Sequence, residues 1–351
     1  MTGASHPSSA PLVLHVVESL GGGVTSALLD YIRATPTFRH RVLARLRPDA
    51  HSSGDLEGLT GGIIPMRDGH VRRIGDVRRT HRDLRPSIVH AHSSYGGAYA
   101  RLAGLPRKRV VYTPHCFAFE RLDVSRGVRA AFRLMEAVLS FRGGWIAAVS
   151  DREAALARRL PGRPRVVVVP NIARVDVMTT GPAGSNAAPL VVAVGRLQPQ
   201  KDPRFFAEAA RVTAREGIAA RWRWVGGGDP RSERELSDAG VEVTGWVERD
   251  RALAELAAAD VYAHTAAWEG FPITVLEAAA LGRPVIARRI PALEGSGLRL
   301  VGSPAELARA VGGLAGEAAD LLARSRALSA AHAPSEQERA LNALYEEVLR
   351  S

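Results

Sequence analysis

Residues 190–202 read Leu-Val-Val-Ala-Val-Gly-Arg-Leu-Gln-Pro-Gln-Lys-Asp. A short valine-rich run suits a buried strand, a polar turn follows a glycine, and Asp202 stands where a helix cap belongs. The same strand–turn–helix grammar extends in both directions. Upstream, strands are expected at 11–17, 41–46, 62–66, 87–92, 109–114, 144–150 and 165–170, and downstream at 221–225, 241–246, 260–264 and 284–288. Amphipathic stretches separate them, such as 71–84 with Val71, Ile74, Val77 and Leu84. Strands alternating with helices predict an α/β protein with parallel sheets. The two series are parted by 176–189, small, Gly/Pro-rich and nearly uncharged, which reads as a linker. The expected organisation is one domain over 1–175 and a second over 176–335. The tail 336–351, a helix with Leu341, Leu344, Tyr345 and Val348 on one face, rejoins the first. Two doubly wound halves facing across a cleft would bind ligands beyond the carboxyl ends of their strands.

A chain of 351 residues, 46% hydrophobic and 24% charged, has room for two domains of about 150–175 residues each. No stretch approaches the roughly 18–20 apolar residues of a membrane span. The first ten residues carry no basic region before the short apolar Pro11–Val17, so the reading is a cytoplasmic protein. The single cysteine, Cys116, excludes an internal disulfide framework and a multi-cysteine zinc site. Charge is uneven. Residues 1–175 hold 27 Lys+Arg against 13 Asp+Glu, whereas 176–351 hold 20 against 23. The excess in the first half reads either as a patch for something anionic or as drift in a chain where 45 of 47 cations are arginine.

Several strand ends carry chemistry. Gly21, Gly22 and Gly23 follow the first strand and open a helix, where a backbone without side chains lets a phosphate or sugar approach free N–H groups. A tight turn would read the same. After the strand at 190–195, Arg196 and Lys201 stand five residues apart around a turn, placed to converge on one anion. Lys201 is one of only two lysines, so a compact point charge is used where arginine is the default. Residues 268–279, Trp-Glu-Gly-Phe-Pro-Ile-Thr-Val-Leu-Glu-Ala-Ala, put Pro272 at a helix start and leave the amides from Ile273 to Leu276, including Thr274 and Val275, unpaired by the helix itself. Glu269 precedes that helix. Glu277 lies inside its apolar run, where a carboxylate needs partners that ligand hydroxyls would provide. His115 follows the strand ending at 114, a strand-end address that favours a functional role. His90 and His92 share one face of a strand; two ligands do not make a zinc site, and a cleft-wall role near the acceptor is expected instead. No Asp-x-Asp cluster occupies a suitable strand end.

Gly-Arg-Leu-Gln-Pro-Gln-Lys at 195–201, followed some seventy residues later by Glu-Gly-Phe-Pro-Ile-Thr-Val-Leu-Glu-Ala, resembles the retaining, nucleotide-sugar-dependent glycosyltransferases of the GT-B fold, family GT4. The resemblance extends to the glycine loop at 21–23, to 89–94, 112–119 and 168–171, and to the terminal helix. It implies a GT-B architecture whose N-terminal domain binds acceptor and whose C-terminal domain binds the donor, a UDP-, GDP- or other nucleoside-diphosphate sugar. It assigns Arg196 and Lys201 to the leaving diphosphate with the amides at Thr274 and Val275, Glu277 to the ribose, Glu269 and His115 to the sugar. Gly22, Gly23, Gly195 and the backbone at Val247 complete the donor contacts. No metal and no other cofactor is implied. Two departures stand out. Cys116 replaces the glycine frequent after this histidine, and 287–297 is shorter than the usual acid-bearing loop. Cys116 is not expected to act as a nucleophile, since no step requires a thiolate.

The wording of 90–94 and 113–120 is most similar to enzymes of lipid-linked surface polysaccharides, so a glycan or polyprenol-diphosphate acceptor is expected. The basic stretches 67–85 and 121–142 read either as helices covering a sheet or as a peripheral contact with an anionic membrane. A sugar-nucleotide epimerase or hydrolase and a non-catalytic nucleotide-sugar-binding protein remain as alternatives. Nucleic acid is not an expected partner, because a motif is lacking and aromatics are only 5% of residues.

Overall fold

The apolar runs of the first half become seven strands, β1 Leu12–Val17, β2 Arg39–Ala44, β3 Ile63–Pro65, β4 Ile88–His92, β5 Val110–Thr113, β6 Trp145–Ala148 and β7 Arg165–Val168. Those of the second half become β8 Leu190–Val194, β9 Arg221–Val225, β10 Val241–Val243, β11 Val261–His264, β12 Val285–Arg288 and β13 Arg299–Val301. The computed structural model describes residues 10–45, 53–175 and 188–351. Of the expected linker 176–189, only the last two residues fall among these. Strand β13 was not foreseen, because three residues are too few for an alternating or apolar run to show.

Every pairing between these strands is parallel. The first sheet runs β3-β2-β1-β4-β5-β6-β7 and the second β10-β9-β8-β11-β12-β13. Helices follow nearly every strand. They are α1 Gly23–Ala34, α2 Ser53–Thr60, α3 His70–Leu84, α4 Ser93–Leu102, α5 Arg126–Ser140 and α6 Asp151–Arg158 in the first series. In the second they are α7 Pro203–Arg215, α8 Pro230–Ser237, α9 Arg249–Ala257, α10 Ile273–Ala280, α11 Pro304–Gly312 and α12 Leu314–Ala331, and α13 Pro334–Arg350 closes the chain. The chain divides into one unit of residues 1–171 with 334–351 and another of residues 172–333. Among the described residues no helix is long and apolar enough to cross a membrane.

The terminal helix is part of the first unit's core. Leu341, Leu344, Tyr345 and Val348, the face read from the sequence, pack with Val13, Tyr31, Phe38, Ile88, Val111 and Trp145. On the opposite face α4 comes close because of two glycines. A Cβ at Gly96 would stand 2.8 Å from the Val16 carbonyl oxygen, and one at Gly97 only 2.3 Å from the Tyr112 ring. That ring is held in turn. Its hydroxyl donates to Glu136 at 3.0 Å, Arg101 bridges the same carboxylate at 2.8 Å, and the guanidinium lies 4.3 Å over the ring.

Two details of the basic stretches differ from expectation. Val71 is 83% exposed, so the buried face of α3 centres on Val77 instead. Much of the positive charge over 67–85 is internal. Buried Arg73 binds Glu18, Asp68 and the Tyr99 hydroxyl, and Asp76 takes both Arg67 and Arg79. Helix α5 is apolar on two sides: Leu139 is buried, while Val128, Leu134, Val138 and Phe141 are exposed.

Replacing Gly97 by Ala should drive a methyl group into the Tyr112 ring and cost about 1–3 kcal/mol, read as a lowered denaturant midpoint at unchanged m-value. An unaltered midpoint would mean the helix does not depend on that close approach.

Candidate functional site

In each sheet the strand order reverses beside one strand, between β1 and β4 in the first unit and between β8 and β11 in the second. Crevices open at the carboxyl ends of such neighbouring strands, because their connections leave to opposite faces. Both constellations described here lie at those ends.

In the second unit, residues 195–202 after β8 are tied to the segment after β11. Thr265 donates to the Lys201 carbonyl at 2.8 Å, and the Ala267 amide donates to the Gln200 carbonyl at 2.8 Å. The side chains follow. Lys201 Nζ lies 2.5 Å from Glu269 Oε1, and Gln200 donates to Glu269 Oε2 at 3.2 Å and to the Trp268 carbonyl at 3.1 Å. The sequence-chosen cation and acid are therefore each other's partners. Gly195 makes room for this, since a Cβ there would stand 3.1–3.3 Å from the Lys201 side-chain carbons. Its carbonyl accepts from Trp224 Nε1 at 2.8 Å, and Arg196 follows, part-exposed in the same turn. Asp202 caps α7 as expected, accepting from the Phe205 amide at 3.2 Å, and also receives Arg288 at 2.5 Å.

Thr274, at the start of α10, belongs to a separate buried chain. Tyr262 donates to Thr274 Oγ1 at 2.8 Å, so the His264 Nδ1 at 3.1 Å from the same hydroxyl is the donor to it. His264 Nε2 is then a bare, buried acceptor without a hydrogen-bond partner. Burial first, and the Lys201 charge second, hold His264 well below the ordinary histidine range. Sequence reasoning missed His264 and Arg288, although both stand at strand ends. Helix α10 begins with Pro272 as its cap, and the Val275 amide is already committed to the Pro272 carbonyl at 3.2 Å. The row of free amides is thus one shorter than expected. Glu277, 5% exposed, meets Arg249 at 2.8 Å, a partner supplied by the protein itself. Val247 packs partly against Val192 and Val225.

In the first unit Gly22 caps α1 without a side-chain bond, and Gly23 is its first residue. His115 follows β5 at φ 53° and Cys116 at φ 94°, two consecutive left-handed residues. Such a conformation favours glycine, which accounts for the residue type Cys116 displaces. The loop is fixed from behind by Glu153, which accepts from the Cys116 amide at 2.7 Å and the Val149 amide at 2.8 Å. Burial raises that carboxyl to about 7 against the pull of the two amides. Ser150 and Glu153 are spaced as a capping box, and Ser150 accepts from the Glu153 amide at 3.2 Å, but the Glu153 carboxylate turns to the Val149 and Cys116 amides.

His90 and His92, expected on a cleft wall, are fully buried beneath α1 and α13. Nitrogens of His15, His90 and His92 lie within 4.8 Å of one another. Their rings do not converge on a point. His90 and His92 stack with centroids 4.3 Å apart, and both His90 nitrogens are engaged, by Tyr345 at 2.7 Å and Thr113 at 2.8 Å. A hydrogen-bonded stack fits this donor set better than a metal.

Known proteins agree with this architecture. The family model described as "Glycosyl transferase 4-like domain" matches residues 22–172, and "Glycosyl transferases group 1" matches residues 188–317. The chain is 30% identical over 230 residues to the UDP-Gal:alpha-D-GlcNAc-diphosphoundecaprenol alpha-1,3-galactosyltransferase of Escherichia coli, an alignment spanning 58% of each chain. It is 24% identical over 300 residues to a 41.2 kDa protein of the cps region of Klebsiella pneumoniae, covering 80% of this chain and 82% of that one. The structure of Anabaena HepE in complex with UDP-glucose superposes with a TM-score of 0.73 at 17% identity, over 97% of this chain and 98% of the other. The chain belongs to the group 1, GT4-like glycosyltransferases of the GT-B fold.

The buried imidazoles set an acid limit on stability. Burial is the leading cause that holds His15, His90, His92 and His264 well below 6.5 and brings His115 down to about 4. Below pH 6.5 the unfolded chain binds protons that the folded chain refuses. Each such group therefore contributes stability that is complete above its unfolded value and is lost as pH falls, by up to about 1.4 kcal/mol per pH unit. Glu153, raised from 4.5 to about 7, and Glu120, also raised by burial, work in the other direction but are outnumbered by the imidazoles. Denaturant titrations between pH 7.5 and pH 5 should show stability falling steeply on acidification, and a flat profile would contradict the buried neutral stack.

Proposed function

We propose that the protein transfers a sugar from a nucleoside diphosphate to a hydroxyl acceptor, with retention at the anomeric carbon. The observation that carries this reading is the meeting of Lys201, Gln200 and Glu269 at the carboxyl ends of β8 and β11, with Thr274 at the start of α10 bonded to Tyr262 of β11. Departure of the nucleoside diphosphate takes the bonding electron pair onto a phosphate oxygen, and that charge needs fixed positive groups. Arg196, Lys201 and the remaining amides at Thr274 supply them, and a metal is not required.

In the resting protein Lys201 is held by Glu269. A pyrophosphate entering beside it draws the ammonium toward itself, and the released carboxylate accepts a hydroxyl of the transferred sugar. Glu277 takes the ribose hydroxyls in place of Arg249, the backbone at Val247 faces the base, and Gly195 keeps the phosphate path clear. His115 and the Gly22–Gly23 turn act from the first unit, His115 on the sugar. The acceptor hydroxyl attacks the face the diphosphate leaves, and its proton passes to the departing phosphate oxygen, so neither a protein nucleophile nor an added base is needed. The Escherichia coli relative acts on a diphosphoundecaprenol-linked sugar, which supports a lipid-linked glycan as the acceptor class here. The exposed apolar side of α5, Leu134, Val138 and Phe141 beside Arg133 and Arg142, supports peripheral contact with an anionic membrane face.

Lys201→Ala should lower kcat by roughly 100- to 1,000-fold with a smaller change in donor KM, since the charge it meets develops in the transition state. Near-normal turnover would remove the assignment. Activity should survive EDTA undiminished, and loss restored by a divalent ion would refute metal independence. Flotation with anionic vesicles should weaken in Val138→Glu without a change in the unfolding midpoint; equal flotation on neutral vesicles would sink the membrane contact.

A further inference from the structure

Four imidazoles climb the first sheet on one diagonal, one from each of β2, β1 and β4 and the last from the loop after β5. His40 Nδ1 lies 3.0 Å from His15 Nε2, His15 Nδ1 lies 3.0 Å from His92 Nε2, and His92 Nδ1 lies 3.1 Å from His115 Nε2. The parallel register makes this possible. It sets His40 beside Val13, His15 beside His90 and Val17 beside His92, so alternate residues of neighbouring strands share the face under α1 and α13. Every link uses the Nδ1 of one ring and the Nε2 of the next, in the same sense throughout.

The direction of the protons follows from the inner end. His40 Nε2 faces the Thr35 carbonyl at 3.1 Å and the Thr35 hydroxyl oxygen at 3.2 Å. A carbonyl only accepts, and the Thr35 hydroxyl has its own proton on the Tyr31 carbonyl at 2.7 Å. His40 Nε2 must therefore carry the hydrogen. A neutral His40 then accepts at Nδ1 from His15 Nε2–H, His15 accepts from His92, and His92 accepts from His115 Nε2–H. The outermost ring is left with a bare Nδ1, which has no partner among the described residues, and His115 is the part-exposed member of the four.

We propose that the Thr35 carbonyl, acting through His40, His15 and His92, fixes His115 as a neutral Nε2–H tautomer that presents a hydrogen-bond acceptor to a ligand hydroxyl. His40, His15 and His92 are then positioning residues. His115 is specified as an acceptor and not as a cation, which suits a sugar hydroxyl and not a phosphate. Other groups around it are consistent with neutrality. Glu153 is spent on the Cys116 and Val149 amides, the Tyr31 ring lies 6.2 Å away, and His90 is closed off by Tyr345 and Thr113. A proton added at His115 would reverse every link and come to rest on His40, a buried site whose Nε2 already faces the Thr35 oxygens. That His115 meets a sugar rests on the function proposed above; the tautomer does not.

Ring-nitrogen NMR of 15N-histidine-labelled protein without substrate, with each ring identified by single substitution, tests the tautomer directly. The expected result at pH 7.5 is a neutral His115 protonated at Nε2. In His40→Leu this preference should give way to a mixture, whereas His40→Gln, which still offers an oxygen to His15 and an N–H to Thr35, should retain it. A wild-type His115 protonated at Nδ1, or a His40→Leu spectrum unchanged at His115, would overturn the proposal. If His40→Leu does not fold, His92→Leu against His92→Gln makes the same comparison. In transfer assays His40→Leu should lower kcat by about tenfold, the worth of one hydrogen bond, and His40→Gln should restore it. Because the spectrum is read without substrate, a confirmed tautomer in a protein that transfers no sugar would fault the functional reading alone.

Discussion

Reversal of strand order beside β1 and β8 is the constraint on which both constellations depend. Where one connection crosses above the sheet and the next below, no helix fills the space at the strand ends, and short side-chain-bearing turns occupy it. The first unit uses the opening for a loop held at left-handed angles by Glu153, and the second for two turns tied to each other by Thr265, Gln200 and Lys201. In both cases hydrogen bonds between side chains and the backbone of the turns, from Glu153 in one unit and from Thr265 and Gln200 in the other, carry the geometry. Substitution at the chemistry can then proceed without loss of the frame.

The pairing of Lys201 with Glu269 gives the second unit a defined state before any ligand arrives. A part-buried ammonium without a partner would be unfavourable, and an equally unpaired carboxylate beside it more so. Together they are satisfied, and under the proposed function an incoming polyanion would compete for one member and liberate the other. Arg288 and Asp202 repeat the pattern at the start of α7, with the guanidinium also 4.7 Å over the Phe205 ring. The cost of desolvating charge at this edge is met within the unit.

Architecture was legible because it is written in long-lived periodicities: valine runs, turns and caps recur at each βα step, and the apolar face of α13 sits where its spacing put it. The same holds in part for the second unit, where Lys201 and Glu269, chosen beside a strand end and a helix start, pair with each other, while Thr274 lies in a separate chain with Tyr262 and His264. What the linear chain concealed is lateral. His15 and His40 lie in different strands from His92, and only register shows that they share a face. A histidine two residues from another suggests a surface or a ligand when read along the strand, whereas across the sheet it is a link in a buried stack. Arg249 and Arg288 were invisible for the same reason, being remote in sequence from Glu277 and Asp202. The basic stretch 67–85, which read either as a helix covering a sheet or as a membrane contact, forms helix α3, and what the chain did not show is that Asp76, Asp68 and Glu18 fold back on its arginines.

The docking of α13 onto the first sheet has a consequence for how the chain is made. Tyr31, Phe38 and Trp145 are emitted from the ribosome long before Leu341, Leu344 and Tyr345, which cover them. The whole six-stranded unit, continuous in sequence from 172 to 333, lies between them in the chain. The sheet of the first unit therefore emerges with one apolar groove still uncovered, and that core closes only when the last helix of the chain arrives.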